Sequence, residues 1–201
     1  MTAKKIGYLG GTFDPIHFGH LNLAIEALEK GKLDEIWFCP TSQSPHKLNS
    51  PPISIHHRLQ MAKLALEGYP EFKVLEEEAS LGQPHYTYNT LIKLQSDPKN
   101  HNKKFYLLFS EDLLFQFHTW YQAEALLTQF PLFVASRKVD DLPSINEIKN
   151  PLILKALKEK VEIRTLEINS REIRQRLKNK LYCTHLTPLK VLDYICENGL
   201  Y

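Results

Sequence analysis

Short apolar runs separated by helix-length segments constrain this chain more than any other feature. Lys4 to Leu9 (KKIGYL), Glu35 to Cys39 (EIWFC), Phe72 to Leu75, Phe105 to Phe109 (FYLLF), Leu132 to Ala135 (LFVA) and Val161 to Leu166 each read as a buried strand. From Gly19, the residues Leu21, Ala24, Ile25 and Leu28 keep a helical period until Gly31 stops it. Ser54 is placed to cap a helix carrying Ile55, Leu59, Ala62 and Leu66, which Gly68 ends. Further helices are expected at about Thr87 to Ser96, Leu113 to Phe117 and Gln122 to Gln129, then after Ser170 and from Pro188 to Asn198. Lys138 to Pro151 carries no readable pattern. Strands joined by helix-length crossovers make a parallel sheet covered on both faces, so the expected fold is a doubly wound α/β domain. With 201 residues the chain fits one domain, large enough to bury a core without disulfides or a structural metal.

Composition excludes several classes of function. The net charge is +2 and there is no long Lys/Arg block, so bulk binding to nucleic acid or to a membrane surface has no support. Cys39, Cys183 and Cys196 are far apart, as expected for reduced thiols in the cytoplasm. No stretch is long and apolar enough to span a bilayer, and MTAKKIGYLGG lacks the apolar core of a signal peptide. Leu189, Leu192 and Ile195 form an apolar face that suits either internal packing or a second subunit, which leaves room for a homo-oligomer.

Sheets of this kind bind ligands beyond the carboxyl ends of their strands. The loops that follow strands are Gly10 to His20, Pro40 to Ile53, Ser110 to Tyr121, and Ser136 onward. In GYLGGTFDPIHFGHL, Gly10 and Gly11 end a strand so that backbone can approach a ligand, and the helix that follows directs its amino end there. His17 and His20 flank its first turn, and together these features suggest a phosphate site. The spacing is not that of G-x-G-x-x-G, and a metal reading of the two histidines lacks further ligands. His56 and His57, adjacent on a helix, are expected to face solvent.

GGTFDPIHFGH resembles the signature of the nucleotidyltransferase superfamily, and in its GGTFDP-x-H form it is most similar to the bacterial nicotinate-nucleotide adenylyltransferases. The resemblance continues in order along the whole chain. SPHK at Ser44 to Lys47 resembles the PHK loop, HHRLQMAKLAL the helix with R-x-x-M, and PHYTYNTL at Pro84 to Leu91 the PSYTxDTL segment. SEDLLFQFHTWYQAEALL resembles the GxD stretch that ends in tryptophan, INSREIRQRL resembles ISSTxIRxxL, and TPLKVLDYICENGLY resembles the closing helix.

The resemblance implies a Rossmann-like nucleotidyltransferase fold and a reaction. Nicotinate mononucleotide would attack the α-phosphate of ATP, forming deamido-NAD and pyrophosphate, with Mg²⁺ carried on the nucleotide phosphates and no protein metal site. Such a transfer needs in-line placement and charge compensation more than covalent help. By the same resemblance His17 and His20 are catalytic, and ATP is bound by Gly10, Gly11, Thr12, Phe13, His17, His20, Asp112, Ser170 and Arg174. Arg174 would grip the β- and γ-phosphates, Asp112 the ribose, and Ser170 would cap its helix or meet a phosphate. The acceptor falls to Lys47, Tyr86, Thr87, Trp120 and Tyr121, the last two offering flat faces to the pyridine ring.

The chain departs from the family pattern at several positions. Ser110 stands for the Gly of GxD, and Asn169-Ser170-Arg171 for the SST run. Leu81 stands where an arginine is common, His85 for the Ser of PSYT, and Asn89 for the Asp of YTxDT, where it would support the loop much as Asp does. These substitutions bear on acceptor choice, so the amide mononucleotide, and more remotely phosphopantetheine, are alternative acceptors. A nucleotide-binding regulator without catalysis is the alternative from another class, and the intact histidine pair argues against it.

Overall fold

A computed structural model describes residues 2–41, 51–76, 86–136 and 150–201. Its strands are β1 (Lys4–Gly11), β2 (Glu35–Pro40), β3 (Phe72–Val74), β4 (Lys103–Ser110), β5 (Leu132–Ser136) and β6 (Val161–Glu162). They form one six-stranded sheet in the order β3-β2-β1-β4-β5-β6. Ile6 pairs with Phe105, Leu107 with Leu132 and Ala135 with Val161, all in parallel. The chain thus winds outward from β1 on one side and from β4 on the other, the doubly wound order whose reversal falls between β1 and β4.

The helices are α1 (Phe18–Lys30), α2 (Ile55–Leu66), α3 (Thr87–Ser96), α4 (Glu111–Phe115), α5 (Ala123–Gln129), α6 (Pro151–Lys158), α7 (Ser170–Lys178) and α8 (Leu189–Glu197). The chain divides into two compact units. One comprises Met1–Leu9, Leu23–Ile36 and Tyr86–Thr165, and the other Gly10–Asn22, Trp37–His85 and Leu166–Tyr201. In the first, Ile6, Tyr8, Phe105, Leu107, Phe109 and Val134 fill the sheet. In the second, Phe13, Ile16, Phe38, Met61, Ile173 and Ile195 are the buried centre, and α2 packs on α8.

Strands and helices fall close to where periodicity puts them, and the differences have local causes. Strand β6 stops at Glu162 rather than Leu166, and the Arg164 N–H turns to Glu26 Oε1, at 3.4 Å, instead of to a neighbouring strand. Helix α4 starts at Glu111, directly off β4, and a 3-10 turn follows at Phe117–Thr119. Helix α6 is unforeseen, although Asn150 caps it by accepting from the N–H groups of Leu152 and Ile153 and Pro151 occupies its first turn. His57 does not face solvent: its Nδ1 lies 2.9 Å from the Tyr194 hydroxyl, joining α2 to α8. On α8, Val191, Leu192 and Ile195 are buried, whereas Leu189 is 62% exposed. Among the described residues no helix is long and apolar enough to cross a membrane.

Candidate active site

In the second unit, β1 runs into Gly10 and Gly11 and the chain then turns sharply. A Cβ on Gly11 would lie 2.8 Å from two carbons of the Phe13 ring, so glycine is required for that ring to fold back. Phe13 has φ +48°, a left-handed conformation that costs an aromatic residue about 1–3 kcal/mol. Complete burial of its ring offsets that cost: it packs 5.8 Å from Phe38 and meets the His20 ring edge-on at 4.9 Å.

Helix α1 begins immediately after His17. The His17 carbonyl accepts from the N–H groups of His20, at 2.9 Å, and Leu21, while the His17 N–H donates to Nδ1 of His20 at 3.2 Å. The bond from the His17 N–H to the imidazole three residues on is the returning half of a capping box, made here by His in the place usual for Glu or Gln, while the His20 N–H goes to the His17 carbonyl. The two rings stack with centroids 3.7 Å apart and an interplanar angle of 25°. A Cβ on Gly19 would fall 3.0 Å from Nδ1 of His17, so the glycine of H-x-G-H makes room for the first imidazole. Because Nδ1 of His20 accepts, we assign the proton of its neutral ring to Nε2, which makes that nitrogen a donor. His17 is buried and His20 half-buried.

The carbonyls of this turn are tied off by donors from elsewhere in the same unit. Gly11 O accepts from the Thr41 N–H at 2.9 Å, Thr12 O from Arg58 Nη1 at 2.7 Å, and Asp14 O from Arg174 Nη1 at 2.6 Å. Pro15 O accepts from Ser170 Oγ at 2.9 Å, and Ile16 O from Thr187 Oγ at 2.7 Å. Arg58, wholly buried, also donates to Thr41 O at 2.6 Å and through Nε to Ile53 O at 3.0 Å. With these five carbonyls satisfied by protein, the amino end of α1 and the Arg58 and Arg174 guanidiniums supply the positive charge around the turn, a setting suited to an anion.

Asp14 is buried, and its two carboxylate oxygens have different partners. The Tyr201 hydroxyl donates to Oδ1 at 2.5 Å, and Arg174 Nη1 lies 3.6 Å from Oδ2. Burial, and then the bond to Asp14, push the Tyr201 phenol far above its ordinary value, so it remains a donor. Ser170 does not cap α7. That role belongs to Asn169, which accepts from the Glu172 N–H at 2.9 Å, leaving the Ser170 hydroxyl for Pro15. Arg171 is exposed.

The remaining candidates lie in the first unit. Asp112 is exposed on α4, one residue past the buried Glu111, whose oxygens accept from Ser136 Oγ at 2.6 Å and pair with Lys160 at 2.5 Å. Those contacts fix the start of α4 and therefore the place of Asp112. Ser110 is buried at the end of β4 and makes no side-chain cap. Trp120 and Tyr121 belong to two separate aromatic groups. Trp120, half-buried, stacks on Phe117 at 5.3 Å and meets Phe109 edge-on; Tyr121, 46% exposed, lies 4.5 Å from Tyr86. Thr87 opens α3, which Tyr86 precedes without a side-chain cap, and Asn89 is exposed on its first turn. Lys47, Leu81 and His85 lie outside the described residues.

No local sequence pattern marks Asp14, Glu111, Thr187 or Tyr201 as a partner of the turn or of α4. Only a polar residue inside an apolar helical face, as at Arg58, signals such a partner in advance. Among the described residues no group of three or more His, Cys, Asp or Glu side chains is placed to hold a metal.

The cytidylyltransferase-like family model matches residues 8–176. A protein of Carboxydothermus hydrogenoformans named "Probable nicotinate-nucleotide adenylyltransferase" is 38% identical over 205 residues, covering 100% of each chain. One of the same name from Bacillus cytotoxicus is 36% identical over 198 residues, 98% of each chain. Among solved structures, Plasmodium falciparum nicotinic acid mononucleotide adenylyltransferase complexed with NaAD shares the fold with a TM-score of 0.77 at 21% identity, covering 98% of this chain and 97% of that one.

Proposed function

The chain belongs to the cytidylyltransferase-like family, among its nicotinate-nucleotide adenylyltransferases, and from that premise we propose that it joins ATP to nicotinate mononucleotide. A phosphate oxygen of the mononucleotide bonds to the α-phosphorus of ATP. The bond from that phosphorus to the bridging oxygen breaks, and pyrophosphate leaves with the electron pair, giving deamido-NAD.

The stacked His17/His20 pair at the amino end of α1 carries this reading. Negative charge grows on the α-phosphate oxygens and on the leaving oxygen during transfer. The Nε2–H of His20 is the donor for it, and His17 supports that ring from below while offering its own edge to the phosphate. A preorganised donor of this kind is worth about 3–4 kcal/mol in the transition state. The backbone of Gly10, Gly11, Thr12 and Phe13 borders the phosphates, Arg174 and the α7 start beside Ser170 take the outer phosphates, and Asp112 accepts from ribose hydroxyls. Tyr86, Thr87, Trp120, Tyr121 and Lys47 serve the acceptor. Mg²⁺ would be carried on the triphosphate, where it would neutralise phosphate charge. The same reading treats residues 1–201 as one catalytic domain working in the cytoplasm.

Pyrophosphate release from ATP and Mg²⁺, with nicotinate and nicotinamide mononucleotide compared at equal concentration, tests the reading. The nicotinate form is expected to win strongly, because a site built for a carboxylate leaves polar groups unpaired against an amide. Preference for the amide overturns the acceptor, and no release with either overturns the reaction.

A further inference from the structure

We infer that Tyr201 is a positioning residue for the triphosphate: by holding Asp14 from one side, it keeps the Arg174 guanidinium oriented for the outer phosphates of ATP. The inference rests on the assignment of Arg174 to ATP made above. Both contacts from Arg174 to Asp14 run through Nη1, to the carbonyl at 2.6 Å and to Oδ2 at 3.6 Å. The Arg174 side chain is 33% exposed, and a guanidinium has five N–H donors, so the anchor at Nη1 leaves other donors for a phosphate.

What keeps the anchor one-sided is Tyr201. An unrestrained carboxylate beside an arginine turns to the bidentate fork geometry, which would occupy the donors a phosphate needs. Here Oδ1 is taken by the Tyr201 hydroxyl at 2.5 Å, so the carboxylate meets Arg174 through Oδ2 alone. The phenol has no competing state, because burial and Asp14 hold it protonated.

The test is Tyr201→Phe, which removes one oxygen from a half-buried side chain, with ATP binding in Mg²⁺ measured by calorimetry without acceptor and steady-state kinetics alongside. Dissociation constant and KM for ATP should both rise about tenfold, while kcat and the KM for nicotinate mononucleotide stay within about twofold. An unchanged ATP affinity, or an equal loss for both substrates accompanied by a lower melting temperature, overturns the inference. If Tyr201→Phe does not fold, Asp14→Asn keeps an acceptor for Tyr201 and removes the ionic anchor; it must show the same selective loss for ATP, and equal losses for both substrates refute the inference. Wild-type protein that fails to bind ATP at all sinks the reading on which the inference rests, a result distinct from a wild type that binds and a variant that matches it.

Discussion

Replacing Arg58 by Met should uncouple the turn after β1 from α2. The methionine fills much of the same volume, so the loss is electrostatic rather than a cavity. The wild-type guanidinium donates to Thr12 O, Thr41 O and Ile53 O at 2.6–3.0 Å in a site with no exposed surface. Each charge-assisted bond of this kind contributes about 1.5–3 kcal/mol, and shared partners make the three less than additive. Leaving three buried carbonyls without their donor costs about 1–3 kcal/mol each, so a partly compensated loss of about 3–5 kcal/mol is expected, which for a chain of this size lowers the melting temperature by about 6–20 °C. Arg58→Lys keeps the charge but brings a single nitrogen to carbonyls that the fork reaches from two, so it should fall between the two. Urea denaturation followed by circular dichroism gives the free energies, and turnover per folded molecule should fall as well because Thr12 loses its anchor. An Arg58→Met protein within about 1 kcal/mol of wild type, with normal turnover, refutes the reasoning.

His20→Ala should lower turnover by about 10²–10³, and His17→Ala by a similar factor, as judged by pyrophosphate release; near-wild-type rates reject the assigned roles. His20→Gln separates structure from chemistry: Gln can accept from the His17 N–H in the imidazole's place, so melting temperature should stay at the wild-type value while turnover falls. Gly19→Ala puts a methyl 3.0 Å from Nδ1 of His17 and should slow turnover several-fold with little change in ATP affinity, measured by kinetics beside calorimetry. The Glu26 carboxyl is held below its ordinary value of 4.5 by the hydrogen bond from Lys30, against the opposing effect of burial and with help from the Arg164 N–H. Its contribution is present above that value and lost as pH falls through the lowered folded value, so Glu26→Gln should narrow the stability gap between about pH 6 and about pH 3 in urea titrations.

What the sequence discloses follows from the range of the forces involved. The strand runs and the helical face of α1 are local patterns, and they place β1, α1, β2, α2 and α3 within a residue or two. The histidine pair is legible for the same reason, since the glycines that end β1 and the two imidazoles at the following helix start lie within eleven residues. Contacts that close over long separations are not. Nothing near Asp14 says that residues 174 and 201 will meet it, or that Arg58 will be the donor for Thr12. Trp120 and Tyr121 are neighbours in the chain yet join different aromatic groups, because the 3-10 turn before them directs one ring to Phe117 and the other toward Tyr86. Residues 150 and 151 did carry a local signal for α6, an Asn cap followed by Pro, which the weak pattern preceding it obscured.

Attack at the α-phosphorus of ATP, assisted by the histidine pair, is tested most directly by ³¹P NMR of ATP, Mg²⁺ and nicotinate mononucleotide with wild-type protein and with His20→Ala. One pyrophosphate and one dinucleotide should appear per ATP consumed in the wild type, and both should nearly vanish together in the variant. Formation of ADP and inorganic phosphate, or AMP without dinucleotide, or a His20→Ala rate equal to wild type, would contradict the account.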